Sequence, residues 1–215
     1  MKDYSICPTI TAEDLKDFQK QIDQVEAFAP RIHVDLMDGS FAPTKSPSID
    51  LISIPHNLRV DYHLMLEDPK PYLDSLISLK PNLVIFHIES NLDFPKILSK
   101  LKTNNIPSGI AVLPSTEIDS EKIKIISNFD HLLIFGGSLG YQGGQIDLTN
   151  VSKIKKIRNI LPNIEIGWDG GINDINIKSL FKQGVRVFNV GSFIQFSRNP
   201  EEQYQKLNNL LEEVE

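Results

Sequence analysis

The sequence predicts a closed (β/α)8 TIM barrel, built as a single domain over residues 1–215. Three observations carry this expectation. Eight apolar runs rich in Ile and Val recur along the chain with few charges, the pattern of strands buried on both faces. Segments of helical period separate them. The 215 residues divide into eight units of about 27, with no Gly-, Pro- or Ser-rich linker and no low-complexity stretch. Right-handed crossovers leave an open doubly wound sheet or a closed barrel for such a series, and the even spacing favours the barrel. The length sits near the low end for this fold, so most loops must be short.

The elements follow in order. A brief strand covers 5–8. A helix over 13–28 carries Leu15, Phe18, Ile22, Val25 and Phe28, three or four residues apart. Thr11 reads as its N-cap, with Asp14 three residues on in an imperfect capping box. A strand over 31–36 leads to a short helix at 49–52 and a strand over 58–64. The next helix, 69–79, starts with Asp68 as cap and Pro69 at the first helical position, where proline is favoured. Strands over 82–87, 107–113, 131–135, 163–168 and 186–190 then alternate with helices over 94–102, 119–126, 149–160, 174–182 and 200–214.

Composition narrows the function. Hydrophobic residues make up 40% and charged residues 23%, enough for a real core. Lys and Arg number 22 against 28 Asp and Glu, a net charge of −6, which argues against a nucleic-acid partner. A lone cysteine, Cys7, excludes an internal disulfide and a Cys-based zinc finger and reads as a small core residue. No run approaches the roughly 18 apolar residues of a membrane helix. Met1-Lys2-Asp3-Tyr4 lacks the apolar stretch of a signal peptide, so the expectation is a cytoplasmic protein with no membrane partner.

In a barrel of this kind, chemistry gathers at the C-terminal ends of the strands. The second strand ends in Ile32-His33-Val34-Asp35-Leu36-Met37-Asp38-Gly39, and period two puts His33, Asp35 and Met37 on one face. The third ends in Asp61-Tyr62-His63-Leu64-Met65. The seventh ends in Gly167-Trp168-Asp169-Gly170-Gly171. Two imidazoles and two carboxylates converging on one mouth suit a divalent transition metal: zinc, iron, manganese or cobalt. Gly143-Gly144 follows strand six, Gly170-Gly171 strand seven and Gly191-Ser192 strand eight. Such loops bind phosphate because glycine lets backbone N–H groups approach an anion. No Lys or Arg lies within 167–173 or 190–196, so the backbone must carry that task. His87 reads as a supporting or packing residue without a metal role, and His56 and His131 as surface or turn residues.

This combination resembles the ribulose-phosphate 3-epimerase family. The resemblance rests on His33-Val34-Asp35-Leu36-Met37-Asp38-Gly39 followed by Phe41 and Pro43, on His63-Leu64-Met65, on Asp169-Gly170-Gly171-Ile172, on Gly191-Ser192 and on Gly143-Gly144-Gln145. It runs in order from about Ile6 to the C-terminal helix. It implies a ribulose-phosphate-binding barrel in which His33, Asp35, His63 and Asp169 hold the metal. Asp35 and Asp169 double as the acid/base pair. Thr9, Met37, Met65 and His63 would contact substrate, and Gly143, Gly144, Gly170, Gly171, Gly191 and Ser192 would receive the phosphate. The implied substrate is a phosphorylated ketose, D-ribulose 5-phosphate inverted at C3 to D-xylulose 5-phosphate, and the implied assembly a homo-oligomer. A six-carbon ketose phosphate of the allulose 6-phosphate type, or a catalytically silent sugar-phosphate-binding barrel, are the alternatives. A decarboxylase of the related Asp-x-Lys-x-x-Asp pattern is disfavoured, because Asp35-Leu36-Met37-Asp38 has no lysine.

Several positions depart from the family. Cys7-Pro8-Thr9 stands for the usual Ser-Pro-Ser. The loop Leu139-Gly140-Tyr141-Gln142-Gly143-Gly144-Gln145 lacks the usual proline and has one extra residue. A third methionine near the end of strand six is missing, with Ile134 or Phe135 in its area. Trp168 replaces a smaller residue, and these changes are expected beside the substrate.

Overall fold

Each apolar run becomes a strand, and every neighbouring pair is parallel. The computed structural model describes residues 2–137, 139–141, 143, 146 and 148–214. The strands are β1 (Ser5–Ile10), β2 (Arg31–Met37), β3 (Arg59–Met65), β4 (Leu83–His87), β5 (Ser108–Val112), β6 (His131–Phe135), β7 (Glu165–Asp169) and β8 (Val187–Val190). They close in sequence order, β8 pairing with β1 through Cys7 against Asn189. The helices α1 (Leu15–Asp23), α2 (Leu73–Ser78), α3 (Phe94–Thr103), α4 (Ser120–Ile126), α5 (Val151–Ile160), α6 (Ile177–Lys182), α7 (Ser192–Gln195) and α8 (Pro200–Glu212) complete the (β/α)8 barrel. Among the described residues no helix is long and apolar enough to cross a membrane.

The structure revises several expected boundaries. Residues 49–52 form no helix. Leu51 N–H closes on Ser48 C=O at 3.0 Å and the turn stops there, because one turn alone cannot repay its nucleation and Pro55 blocks continuation. The helix expected over 69–79 splits into a 3-10 turn at Lys70–Tyr72 and α2. The N-cap of α1 is Asp14, whose carboxylate accepts Asp17 N–H at 2.9 Å, and not Thr11. The short helix α7, in the loop after β8, was not anticipated.

Alternation along the strands makes two cores. Outward-facing Tyr62, Phe86, Trp168 and Phe188 are fully buried against the helix layer. Inside the barrel Leu83, Ile85, Ala111 and Leu133 form a small apolar plug. Below it, at the N-terminal end, lies a charged floor. Arg31 donates to Asp61 at 2.8 Å and stands 3.8 Å from Glu165, which His131 meets at 2.8 Å. His131 is therefore an interior residue, 1% exposed, and not the surface or turn residue its sequence context suggested. Gly167 makes room for it, since a Cβ there would come within 2.6 Å of His131 Nε2. The plug and floor leave the C-terminal mouth as the open end.

Candidate active site

Strand register brings the polar residues together. Asp35 pairs with His63 across β2 and β3, Met37 with Met65, and Thr9 with His33 across β1 and β2. Phe135 pairs with Asp169 across β6 and β7. Odd-numbered positions of β2, β3 and β7 thus point inward at similar heights. His33, Asp35, His63 and Asp169 are all buried, and one ligand atom from each lies within 4.8 Å of the others.

The spacing of these atoms tests whether a metal fits. His33 Nε2 is 3.3 Å from Asp35 Oδ1 and 3.4 Å from Asp169 Oδ2. His63 Nδ1 is 3.0 Å from Asp35 Oδ1 and 3.7 Å from Asp169 Oδ2. Donors about 2.1 Å from a tetrahedral ion stand about 3.4 Å apart, so these four atoms have the separations of a coordination shell. His33 adds a second indication. It is fully buried, and neither ring nitrogen makes a well-angled hydrogen bond among the described residues, an expensive state unless something else satisfies it. The donor set fits a divalent cation.

Electrostatics agrees. Burial pushes the His33 imidazole down, but the carboxylates of Asp169 and Asp35 outweigh it and push its pKa up to about 10. Burial likewise disfavours ionised Asp35, yet the close approach of the His33 and His63 imidazoles holds that carboxyl well below its usual range. The pocket is a negative well that draws a positive charge.

His63 uses both ring nitrogens. With Nδ1 facing the carboxylates, Nε2 meets His87 Nε2 at 2.8 Å, and His87 Nδ1 meets Glu89 Oε2 at 3.2 Å. Only one proton fits between the two Nε2 atoms. A lone pair on His63 Nδ1 puts that proton on His63 and leaves His87 to donate from Nδ1 to Glu89. Burial, the leading cause, and the neighbouring His63 lower the His87 pKa to about 4 against the pull of Glu89, so His87 stays neutral at neutral pH. Glu89 is anchored in turn by Leu113 N–H at 3.0 Å and by the Thr116 hydroxyl.

A cleft opens above these groups. Its walls include Thr9, Thr11, Asp35, Met65, Phe135 and Asp169, together with Gly143, Gly170, Gly171, Gly191 and Ser192. Gly144 and Gln145 lie outside the described residues. His33 and His63 are fully buried and are not among the residues lining the cleft. Met37 clusters with Met65 and Ala42 and is also absent from the lining. Gly170, at φ +111°, allows a close crossing of two loops, because a Cβ there would come 2.2 Å from Gly137 N.

Trp168, Thr11 and Asn189 depart from expectation, and one open alternative closes. Of the two candidates for the place of the missing methionine, Phe135 and not Ile134 faces the cleft, its ring 5.9 Å from that of His63. Trp168 is not beside the substrate cleft. As an even-numbered residue of β7 it points outward, is fully buried, and donates Nε1–H to Gly170 C=O at 2.9 Å. Thr11 donates its hydroxyl to Asp35 Oδ2 at 2.6 Å. Sequence reasoning missed Thr11 as a site residue, although its spacing of two from Thr9 was the available signal. Asn189, register partner of Asp169, was also missed. Its buried amide finds no partner among the described residues.

The pattern defining the ribulose-phosphate 3 epimerase family matches residues 5–195. Ribulose-phosphate 3-epimerase of Aquifex aeolicus (strain VF5) is 27% identical over 214 residues, covering 96% of each chain. That of Mycobacterium leprae (strain TN) is 30% identical over 205 residues, covering 91% of this chain and 89% of the relative. Among solved structures, 3-hexulose-6-phosphate synthase from Salmonella typhimurium superposes with a TM-score of 0.73 over 98% of this chain and 100% of that one. At 13% identity this likeness concerns the fold alone. The family match runs from the first strand to the short helix after the last, and the chain belongs to the ribulose-phosphate 3-epimerase family of carbohydrate isomerases.

Proposed function

We propose that the protein interconverts D-ribulose 5-phosphate and D-xylulose 5-phosphate by inverting C3. The observation that carries this reading is the meeting of two carboxylates and two imidazoles, with donor atoms within 4.8 Å of one another, under a cleft walled by glycine loops.

Inversion next to a ketone needs two groups, because a single base returns the proton to the face it came from. In one direction Asp35, as carboxylate, takes the C3 proton. The C–H electron pair forms the C2–C3 double bond of an enediolate, and charge moves to the C2 oxygen. Asp169, in its acid form, then delivers a proton to the opposite face of C3 and the ketone re-forms. In the reverse direction the two exchange roles. A divalent cation held by His33, Asp35, His63 and Asp169 would supply Lewis acidity toward the ketone and hydroxyl oxygens. His63 is oriented by His87 and Glu89. Met65 and Phe135, with Met37 packed against Met65, offer no competing proton donor to the enediolate. Thr9 contributes a hydroxyl to the sugar. Backbone N–H groups at Gly143, Gly144, Gly170, Gly171, Gly191 and Ser192 receive the phosphate, in keeping with the absence of Lys and Arg from 167–173 and 190–196.

Assay of metal-quantified protein with ribulose 5-phosphate, allulose 6-phosphate and unphosphorylated ribulose tests the reading. The expected result is the highest kcat/KM for the pentose phosphate and little turnover of the free sugar. A preference for allulose 6-phosphate moves the assignment to a six-carbon substrate. Metal-loaded protein that turns over neither phosphate overturns the proposal.

A further inference from the structure

The two oxygens of Asp35 face different partners. Oδ1 stands 3.0 Å from His63 Nδ1 and 3.3 Å from His33 Nε2, inside the four-residue donor cluster. Oδ2 accepts the Thr11 hydroxyl at 2.6 Å, a length typical of a strong O–H···O⁻ bond. Thr11 is itself fixed through its backbone. Its N–H donates to Gln21 Oε1 at 3.0 Å, and its carbonyl accepts Gln21 Nε2 at 2.8 Å. Gln21 is a buried residue of α1, and Asp17 Oδ2 accepts from the same Nε2 at 2.8 Å. The first helix thus clamps the residue that grips the carboxylate. Both Thr11 and Asp35 line the cleft.

From this arrangement we infer that Thr11 divides the work of Asp35: it holds Oδ2 away from the metal position and reserves that oxygen for proton exchange with substrate, leaving Oδ1 as the one metal-facing oxygen. The inference rests on the epimerase reading above. A carboxylate oxygen has two acceptor sites, so Oδ2 keeps one for the incoming proton while the hydroxyl occupies the other. A hydroxyl both donates and accepts. It can donate to the carboxylate and, after rotation, accept from the carboxylic acid, so the contact survives proton transfer. A valine at position 11 would keep the shape and lose the contact, and the freed Oδ2 could then swing to the metal beside Oδ1. Thr11 is a positioning residue, because it acts through Asp35.

Thr11→Val and Thr11→Ser, loaded with Co²⁺, test this. Added oxygen coordination weakens the visible ligand-field bands of cobalt. The expected result is a weaker cobalt spectrum in Thr11→Val at unchanged metal stoichiometry, with the wild-type spectrum in Thr11→Ser. In the assay, kcat of Thr11→Val should fall about 10- to 100-fold, the range for a hydrogen bond to a charged group, with KM changed less than about threefold. Thr11→Ser should restore most of kcat. An unchanged cobalt spectrum in Thr11→Val overturns the division of oxygens, whatever the rate. Wild-type kcat in that variant, or equal impairment of the serine variant, overturns it too. The spectrum needs no substrate, so an inactive wild type would refute the epimerase reading while the spectra still decide the role of Thr11.

Discussion

His63 has a carboxylate pocket on one ring nitrogen and a second imidazole on the other. Its orientation depends on His87, and that of His87 on Glu89, a chain of contacts at 2.8 and 3.2 Å. Partners that fix the tautomer of a ligating histidine are typically worth 10- to 100-fold in metal affinity. His87→Phe keeps the bulk and removes the relay, so it should weaken Co²⁺ retention by about 10- to 100-fold in chelator competition. Retention equal to wild type would show that His63 needs no support. At this scale the sequence was informative where period two applied. His33, Asp35, His63 and Asp169 fall on inward faces at strand ends, and their convergence could be read directly. Thr11 could not be read in the same way. Its residue type also suits a helix cap, and only the fold shows Asp14 capping α1 and leaving the Thr11 hydroxyl free to turn to Asp35. His131 was misread because nothing local signals that Glu165, more than 30 residues on, meets it inside the barrel with Arg31 on the other side of that carboxylate.

Individual elements carry the stability of the site from below. The floor ties β2 to β3 through Arg31 and Asp61, and β6 to β7 through His131 and Glu165. Asp61 is fully buried and the Arg31 side chain is nearly so. Removing one partner leaves a buried charge, so Asp61→Ala should cost about 3–5 kcal/mol in urea unfolding. A loss below about 1 kcal/mol, the range of exposed pairs, would mean that water reaches Arg31. Glu165 gives a pH signature. Burial pushes its carboxyl up, but the His131 hydrogen bond, with help from Arg31, holds it below the ordinary glutamate value. Its contribution is therefore present above about pH 4.3 and is lost as pH falls through the lowered native value. The Tm difference between wild type and Glu165→Gln should be greatest near neutrality and shrink on acidification below about pH 4. A difference that widens in acid would reverse the sign. At the mouth, Gly171 has φ +69° and lines the cleft. Gly171→Val should raise KM for the phosphorylated sugar about tenfold or more by displacing N–H groups from the anion. An unchanged KM would contradict a backbone-held phosphate. Strands were the legible elements, since burial on both faces leaves an apolar signature. Helix limits were less so: period alone cannot show that residues 49–52 stop after one turn.

Over the whole molecule, closure is what creates the site. Asp35 and Asp169 are separated by most of the chain, yet β1 and β8 are the only strands between β2 and β7 on that side of the ring. An open sheet built from the same elements would keep them apart. The barrel was legible from eight even repeats, and the family from motifs that recur at the ends of those repeats. The wall after β6 was legible only as a choice between Ile134 and Phe135, which the strand's inward face settles for Phe135. The protein's net charge is −6 and the His and Asp cluster draws cations, so attraction for the proposed phosphorylated substrate falls to the backbone N–H groups of the glycine loops at the mouth. In the proposed reaction two carboxylates work on opposite faces of one carbon. The most direct test of this is turnover of ribulose 5-phosphate in deuterated water by wild-type and Asp169→Asn protein of equal, measured metal content. The expected result is solvent deuterium at C3 of the wild-type product and no net epimerisation by Asp169→Asn. Wild-type product without deuterium at C3, or a metal-replete Asp169→Asn protein that epimerises at the wild-type rate, would contradict it.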